Sequence, residues 1–306
     1  MFLTGPTSSG KTPLAIAVAQ QLNAEIISLD SMAIYRGMDI GTAKPTAAQQ
    51  AQVPHHVVDV VDPTEAFSVS NYVLAAHAAA ADIRARGKRV LVCGGTPLYL
   101  KGLIRGLFLG PEADWEFRRS IEEDLQRHGD QPLRERLAQV DPLLAHKLHP
   151  HDHRRMIRAL EVARVTGRPL SHWQEQFDTP APRHEFPVAV LRLDRSWLHE
   201  RINQRVTGML ERGLAAEVEG LLQRYGQLGR TASQAVGYRE MLEHLAGGPS
   251  LEQTAELIRA HTRQFARRQE IWFRGLSELF PVPITPATPL QDVVTHVAAI
   301  FTAELP

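Results

Sequence analysis

The residues with the clearest chemical potential are the octapeptide Gly5-Pro6-Thr7-Ser8-Ser9-Gly10-Lys11-Thr12, which satisfies the pattern G-x-x-x-x-G-K-[ST]. A loop of this kind between a strand and a helix turns its backbone amides inward as an anion nest at the helix N-terminus. Lys11 adds a point charge, and the Thr12 hydroxyl is of the type that holds Mg²⁺ there. The whole loop from Gly5 to Thr12 is therefore a candidate site for a pyrophosphate-bearing ligand. The motif leaves the reaction open, because ATPases, GTPases, small-molecule kinases and other transferases share it. An NTPase would place a Mg²⁺-binding carboxylate after a later apolar strand, but the run Val90 to Cys93 ends in Gly94-Gly95-Thr96. The carboxylate that does close a neighbouring apolar run is Asp30, where open α/β sheets build their sites. By residue type alone, Asp30 also suits a helix cap or turn ahead of Ser31.

The elements that must position these groups follow from periodicity and punctuation. Met1-Phe2-Leu3-Thr4 reads as a strand, and Thr12 to Leu22 as a helix that tolerates Pro13 in its first turn. Ala24 to Asp30 and His55 to Val61 read as strands, residues 66 to 86 as an alanine-rich helix, and Arg89 to Cys93 as a buried strand. Such alternation predicts a parallel α/β sheet flanked by helices, a P-loop NTPase-like core. From about residue 112 the chain changes to charged helices punctuated by Pro132, Pro142, Pro150, Pro169, Pro180 and Pro182. Pro187 to Leu193 restores a strand, and helices are expected from there to the C-terminus. The expected organisation is a discontinuous core, 1–111 and 187–306, with an all-helical insertion over 112–186.

Composition narrows the class without naming a partner. Of 306 residues, 43% are hydrophobic and 22% charged, as in a folded globular chain. Thirty-four basic and thirty-four acidic side chains cancel, so a polyanionic partner would need local clusters. Two such clusters exist: five arginines between His151 and Arg168, and five between Arg259 and Arg274, with Arg259, Arg263 and Arg267 on one helical stripe. On charge pattern alone these are ordinary solvated faces. Cys93 is the only cysteine, which excludes an internal disulfide and suits a reducing compartment. Met1 leads straight into the glycine loop and no apolar run is long enough to cross a bilayer, so a cytoplasmic protein without a membrane partner is expected. His55, His56 and the other histidines show no ligand spacing and are assigned no metal.

With these residues in place, the sequence resembles the bacterial tRNA dimethylallyltransferase family, also called tRNA isopentenyltransferases or IPP transferases. The resemblance rests on Gly5 to Thr12, the long stretch Asp30-Ser31-Met32-Ala33-Ile34-Tyr35-Arg36-Gly37-Met38-Asp39-Ile40-Gly41-Thr42-Ala43-Lys44-Pro45, and Gly94 to Tyr99. Downstream, Arg155 to Val162, Gln234 to Glu240 and Thr262 to Gln269 also have counterparts, so nearly the whole chain is covered. The resemblance implies transfer of a dimethylallyl group from dimethylallyl diphosphate to N6 of adenosine at tRNA position 37, within A36-A37-A38 of the anticodon stem-loop, releasing diphosphate.

The phosphate loop would then grip a leaving group, with Mg²⁺ at Thr12 and hydrolysis of no nucleotide. Asp30 matches the general base, Thr12 and Arg205 match groups that neutralise the departing pyrophosphate, and Thr96 matches a residue that contacts the target adenine. The implied tRNA contacts are Asp30, Ser31, Met32, Ala33 and Thr96, then Arg154, Arg155 and Arg158 in the insertion, then Gln234, Gly237, Tyr238 and Arg239. The basic clusters become phosphate contacts, and the insertion becomes the part that grips the stem-loop. A monomer is expected. Four positions depart from the family's habit: Ala33 stands where Gln is frequent, Pro97 where Gly is usual, and His153-Arg154 where Pro-Gln is common. Two other readings share the motif. One is a small-molecule P-loop kinase with Asp30 as base; the other is an RNA-binding regulator switched by nucleotide. The missing carboxylate after Val90 to Cys93 counts against both.

Overall fold

Near-continuous apolar runs become the central strands because a parallel sheet is covered on both faces. The computed structural model describes residues 1–108, 110–174, 179–181 and 185–303. Pro182, read above as loop punctuation, lies outside the described residues. The chain divides into two compact units, residues 1–104 with 180–306, and residues 105–179.

The first unit opens with β1 (Phe2–Thr4), α1 (Lys11–Gln21) and β2 (Ala24–Leu29), then α2 (Ala47–Gln52), β3 (His55–His56), α3 (Val69–Ala85), β4 (Arg89–Gly94) and α4 (Pro97–Arg105). After the second unit come β5 (Val188–Leu193), α10 (Arg195–Glu211), α11 (Leu214–Tyr225), α12 (Tyr238–Leu245), α13 (Leu251–Arg274), β6 (Leu279–Ile284) and α14 (Leu290–Thr302). The six strands form one sheet in the order β3-β2-β4-β1-β5-β6, with every pairing parallel. Leu3, Ile26, Leu91, Leu191 and Val282 from the strands pack with Leu14 and Val18 of α1 and Val293 and Val297 of α14. Among the described residues no helix is long and apolar enough to cross a membrane.

Two expectations about strands need correction. The strand over His55 to Val61 shrinks to His55–His56, followed only by an isolated bridge between Tyr35 and Val61. Val57 and Asp59 adopt φ of 59° and 55°, which no strand accommodates. Asp59 is turned there to meet the buried Lys44, whose ammonium also donates to Tyr35 O at 2.8 Å and pairs with Asp39. The C-terminal region is not wholly helical either, since β6 extends the sheet beside β5. Pro281 and Pro283 hide it in the sequence; both have the same parity, so their missing donors fall along one side of an edge strand and leave the ladder to β5 intact.

The second unit is helical: α5 (Trp115–His128), α6 (Asp130–Val140), α7 (Pro142–Lys147), α8 (His153–Thr166) and α9 (Leu170–Trp173). Its core joins Ile121, Leu133, Leu137, Leu144, Met156, Ile157 and Leu160. Phe108 stacks on Trp173 at 4.5 Å, so the unit begins before residue 112. Two buried carboxylates fix the helices. Asp141 caps α7 through Leu144 N and also accepts from Ser171 N at 2.8 Å. Glu161 accepts a bidentate pair from Arg118, both at 2.8 Å, and the Asp114 amide at 2.7 Å. Burial alone would raise the Glu161 pKa, but the Arg118 and Arg158 hydrogen bonds outweigh it and hold the carboxyl below its usual range.

Candidate active site

The phosphate loop is built by the abrupt passage from β1 into α1. Gly10, at φ 89°, occupies the N-cap of α1, a left-handed conformation that a side chain would strain. The loop is braced on three sides. Gln269 of α13 accepts from Thr7 N at 2.8 Å and donates to Gly95 O at 2.6 Å, strapping the loop to the end of β4. Arg201 of α10 donates to Ser8 O at 2.7 Å. Lys11 curls back and donates to Gly5 O at 3.0 Å and Pro6 O at 2.6 Å. Burial is the largest influence on this ammonium and brings its pKa down to about 8; Cys93 and Asp30 pull it up and Arg205 pushes it down. Ser8 Oγ is buried and has no hydrogen-bond partner among the described residues.

Asp30 follows β2 directly. Its Oδ1 accepts from Met32 N at 2.8 Å and Ala33 N at 3.3 Å, so the carboxylate also serves as the turn residue that its type suggested. Oδ2 has no hydrogen-bond partner among the described residues. Thr96 faces the same turn, its Oγ1 accepting from Ser31 N at 3.1 Å. Close contact of β2 with β4 makes this possible: a Cβ on Gly94 would lie 2.2 Å from Leu29 O. Arg205, one helical turn beyond Arg201, donates to Thr42 O at 3.2 Å. Burial lowers its pKa, partly offset by the charge of Asp30.

Two cavities meet here. The first, about 500 Å³, is lined by the loop residues Thr7 to Thr12, by Ala33, Lys44 and His55, and by Cys93. The second, about 280 Å³, is lined by Ser31, Met32, Thr96, Gln234, Tyr238, Val206, Met209 and Ile258. Thr7, Asp30, Thr42, Gly95, Arg205, Phe265 and Gln269 border both. The junction therefore sets a carboxylate and a guanidinium between an anion nest and a largely apolar chamber. Cys93 is no competing nucleophile, since burial pushes its thiol up to about 12.

The sequence-predicted residues distribute unevenly. Asp30, Ser31, Met32, Thr96, Gln234 and Tyr238 share the second chamber, while Ala33 lines the first. Gly237 and Arg239 line neither: the Gly237 amide and Arg239 guanidinium both bind Glu240, and Arg239 also meets His261 at 2.9 Å. In the helical unit Arg154 and Arg155 are exposed, whereas Arg158 is engaged by Glu161 and donates to Pro111 O at 2.9 Å. On α13, Arg259 donates to Thr207 at 3.0 Å and Arg263 to Asn203 at 2.8 Å, both on α10.

Sequence reasoning gave no role to Gln269 or Glu217. Glu217 of α11 accepts from the amides of Asp39 and Ile40 at 2.9 and 2.7 Å and from the Tyr238 hydroxyl at 2.6 Å, binding the segment after β2 to α11 and α12. The only signal for Gln269 was its place at the end of the Thr262 to Gln269 stretch. Not every histidine stands apart from other ligand-type side chains, because folding brings Asp130, His151 and His153 together in the helical unit. The alternation His149-x-His151-x-His153 was the available signal.

Comparison with known proteins agrees with this architecture. The IPP transferase family model matches residues 33–276, and an isopentenyl transferase model matches residues 1–58. A tRNA dimethylallyltransferase of Rhodopirellula baltica is 55% identical, the match covering 91% of this chain and 86% of the relative. Among solved structures, a full-length tRNA isopentenylpyrophosphate transferase from Bacillus halodurans superposes with a TM-score of 0.69 at 34% identity, covering 98% and 95% of the two chains. A eukaryotic dimethylallyltransferase acting on tRNA superposes with a TM-score of 0.78 at 29% identity, covering 97% of this chain and 77% of that one. With a six-stranded parallel sheet, a phosphate loop strapped by Gln269 and a family match across most of its length, the chain belongs to the IPP transferase family.

Proposed function

We propose that the protein transfers the dimethylallyl group of dimethylallyl diphosphate to N6 of adenosine 37 in tRNA, releasing diphosphate. The observation that carries this reading is the junction of the two cavities at Asp30 and Arg205. A diphosphate in the loop's cavity would bring its ester carbon toward that junction, and an adenine in the apolar chamber would approach from the other side. An adenine amino group is a weak nucleophile, so removal of its proton as the bond forms lowers the barrier. In the transfer the C1–O bond breaks, the C1–N6 bond forms, the amino proton passes to Asp30, and the electron pair leaves with diphosphate. Arg205, Lys11 and the loop amides would meet the charge growing on that leaving group.

The donor set also fits Mg²⁺, since the Thr12 hydroxyl is a hard oxygen ligand beside a diphosphate site. Bound there, the ion would add positive charge against the leaving group. For tRNA, the reading assigns Ser31, Met32, Ala33, Thr96, Gln234 and Tyr238 to the target base and its neighbours, with Gly237 and Arg239 shaping that segment. Arg154 and Arg155 would take phosphates of the anticodon stem-loop carrying A36-A37-A38, and Arg158 would order the helix that presents them. A cytoplasmic monomer acting on tRNA completes the reading.

The test is incubation of the protein with dimethylallyl diphosphate, Mg²⁺ and unmodified tRNA containing A36-A37-A38, followed by nucleoside mass spectrometry. N6-dimethylallyladenosine at position 37 is the expected product. Absence of that product, with phosphoryl transfer from ATP independent of tRNA, would replace the reading with the kinase.

A further inference from the structure

The helical unit holds a cluster that the reaction does not use. Asp130 is the first residue of α6, His153 is the first residue of α8, and His151 lies in the turn between α7 and α8. Asp130 divides its carboxylate between them: Oδ2 is 2.6 Å from His151 Nδ1 and Oδ1 is 3.0 Å from His153 Nε2. One ligand atom from each residue lies within 4.8 Å of the others.

A hydrogen bond from His151 and an ion pair with His153 would explain the proximity but not all of the geometry. His153 Nε2 is buried and, among the described residues, makes no hydrogen bond; its contact with the Asp130 carboxylate at 3.0 Å is an ion pair without hydrogen-bond alignment. An imidazole nitrogen in ion-pair contact with a carboxylate oxygen but out of hydrogen-bond alignment with it is under-satisfied, and a metal bond would remove that penalty. The turn that presents His151 is ordered as well, because the His151 amide donates to His149 Nδ1 at 3.2 Å.

We propose that Asp130, His151 and His153 bind a divalent first-row transition ion, Zn²⁺ being the best match. Two imidazoles and a carboxylate are borderline donors that suit Zn²⁺, whereas Mg²⁺ and Ca²⁺ prefer shells of oxygen. Three protein ligands leave a fourth tetrahedral position for water. The ion fastens the start of α6 to the start of α8, closing a loop of 21 residues between Asp130 and His151. A chain with one cysteine has no disulfide to perform that task. The Asp130 charge also offsets the unfavourable placement of a cation near two helix N-termini.

The experiment uses untagged, full-length protein freed of metal by chelation and titrated with Zn²⁺ against a chromophoric chelator. Co²⁺ absorption provides a second readout of coordination geometry. One equivalent of Zn²⁺ is expected, with a tetrahedral Co²⁺ spectrum and a higher Tm on metal addition. H151Q and H153Q should each weaken binding by more than about tenfold, beyond the lower bound for losing even an outer-shell partner. C93S should leave the affinity unchanged. His151 is 72% exposed, so H151Q tests the idea without threatening the fold. No stoichiometric Zn²⁺, or binding indifferent to both histidine variants, would overturn the proposal and leave Asp130 hydrogen-bonded to His151 and in ion-pair contact with His153.

Discussion

Asp30 has two tasks that a substitution must separate. Oδ1 holds the turn into Met32 and Ala33, while the carboxylate borders both cavities. Asp30→Asn keeps an acceptor for the turn but cannot take a proton, so prenyl transfer should fall by about 10²- to 10⁴-fold while tRNA affinity stays within error in a filter-binding assay. Equal losses of both would assign the residue to the turn alone. Lys11 offers a pH signature. Its pKa of about 8 lies below the ordinary 10.5, so between those values the unfolded chain holds more protons and this group's contribution to stability rises with pH. Diphosphate binding favours the protonated ammonium, so donor affinity measured by calorimetry should weaken as pH rises through about 8. Lys11→Arg, charged throughout, should lose that slope. The loop motif and Asp30 were legible in the sequence because local spacing defines them. Gln269 was not, since its partner Gly95 lies 174 residues away and no local pattern encodes that meeting.

At the scale of elements, the site depends on two close approaches. Gly94→Ala would drive a methyl group into the Leu29 carbonyl, forcing β2 from β4 at the point where Asp30 and Thr96 leave them. Overpacking against backbone should cost about 3 kcal/mol or more in urea denaturation. Glu217→Ala should act differently. It leaves the amides of Asp39 and Ile40 and the Tyr238 hydroxyl without their shared acceptor, so amide exchange in residues 38–42 should accelerate while the sheet stays protected. The strands β1, β2, β4 and β5 were readable because buried parallel strands are continuous apolar runs. β3 was overread because its apolar pattern continues past Val57, where a positive φ and the pull of Lys44 on Asp59 end the extension. β6 was missed because two prolines argue against a strand unless it is an edge.

Across the whole molecule, the separate cores of the two units imply that unfolding is not a single transition. Leu137→Ala, at a buried position of the helical unit, should destabilise that unit by about 2–5 kcal/mol. Hydrogen-exchange mass spectrometry should show the loss over residues 115–173 with β1, β4 and β5 unchanged. The change from strands to charged helices announced this second unit in the sequence. The unit takes in Phe108, ahead of residue 112 where the helical pattern begins, through an aromatic contact with Trp173 that no periodicity reveals. The prolines of β6 reach further than one molecule. A parallel sheet ending in an ordinary edge offers a row of donors that another chain can extend, the route to aggregates. With Pro281 and Pro283 at the same parity on this edge strand, two successive outward donors of that row are missing, so β6 is a poor template for a neighbouring strand, and the sheet's growth from this edge is opposed by covalent structure.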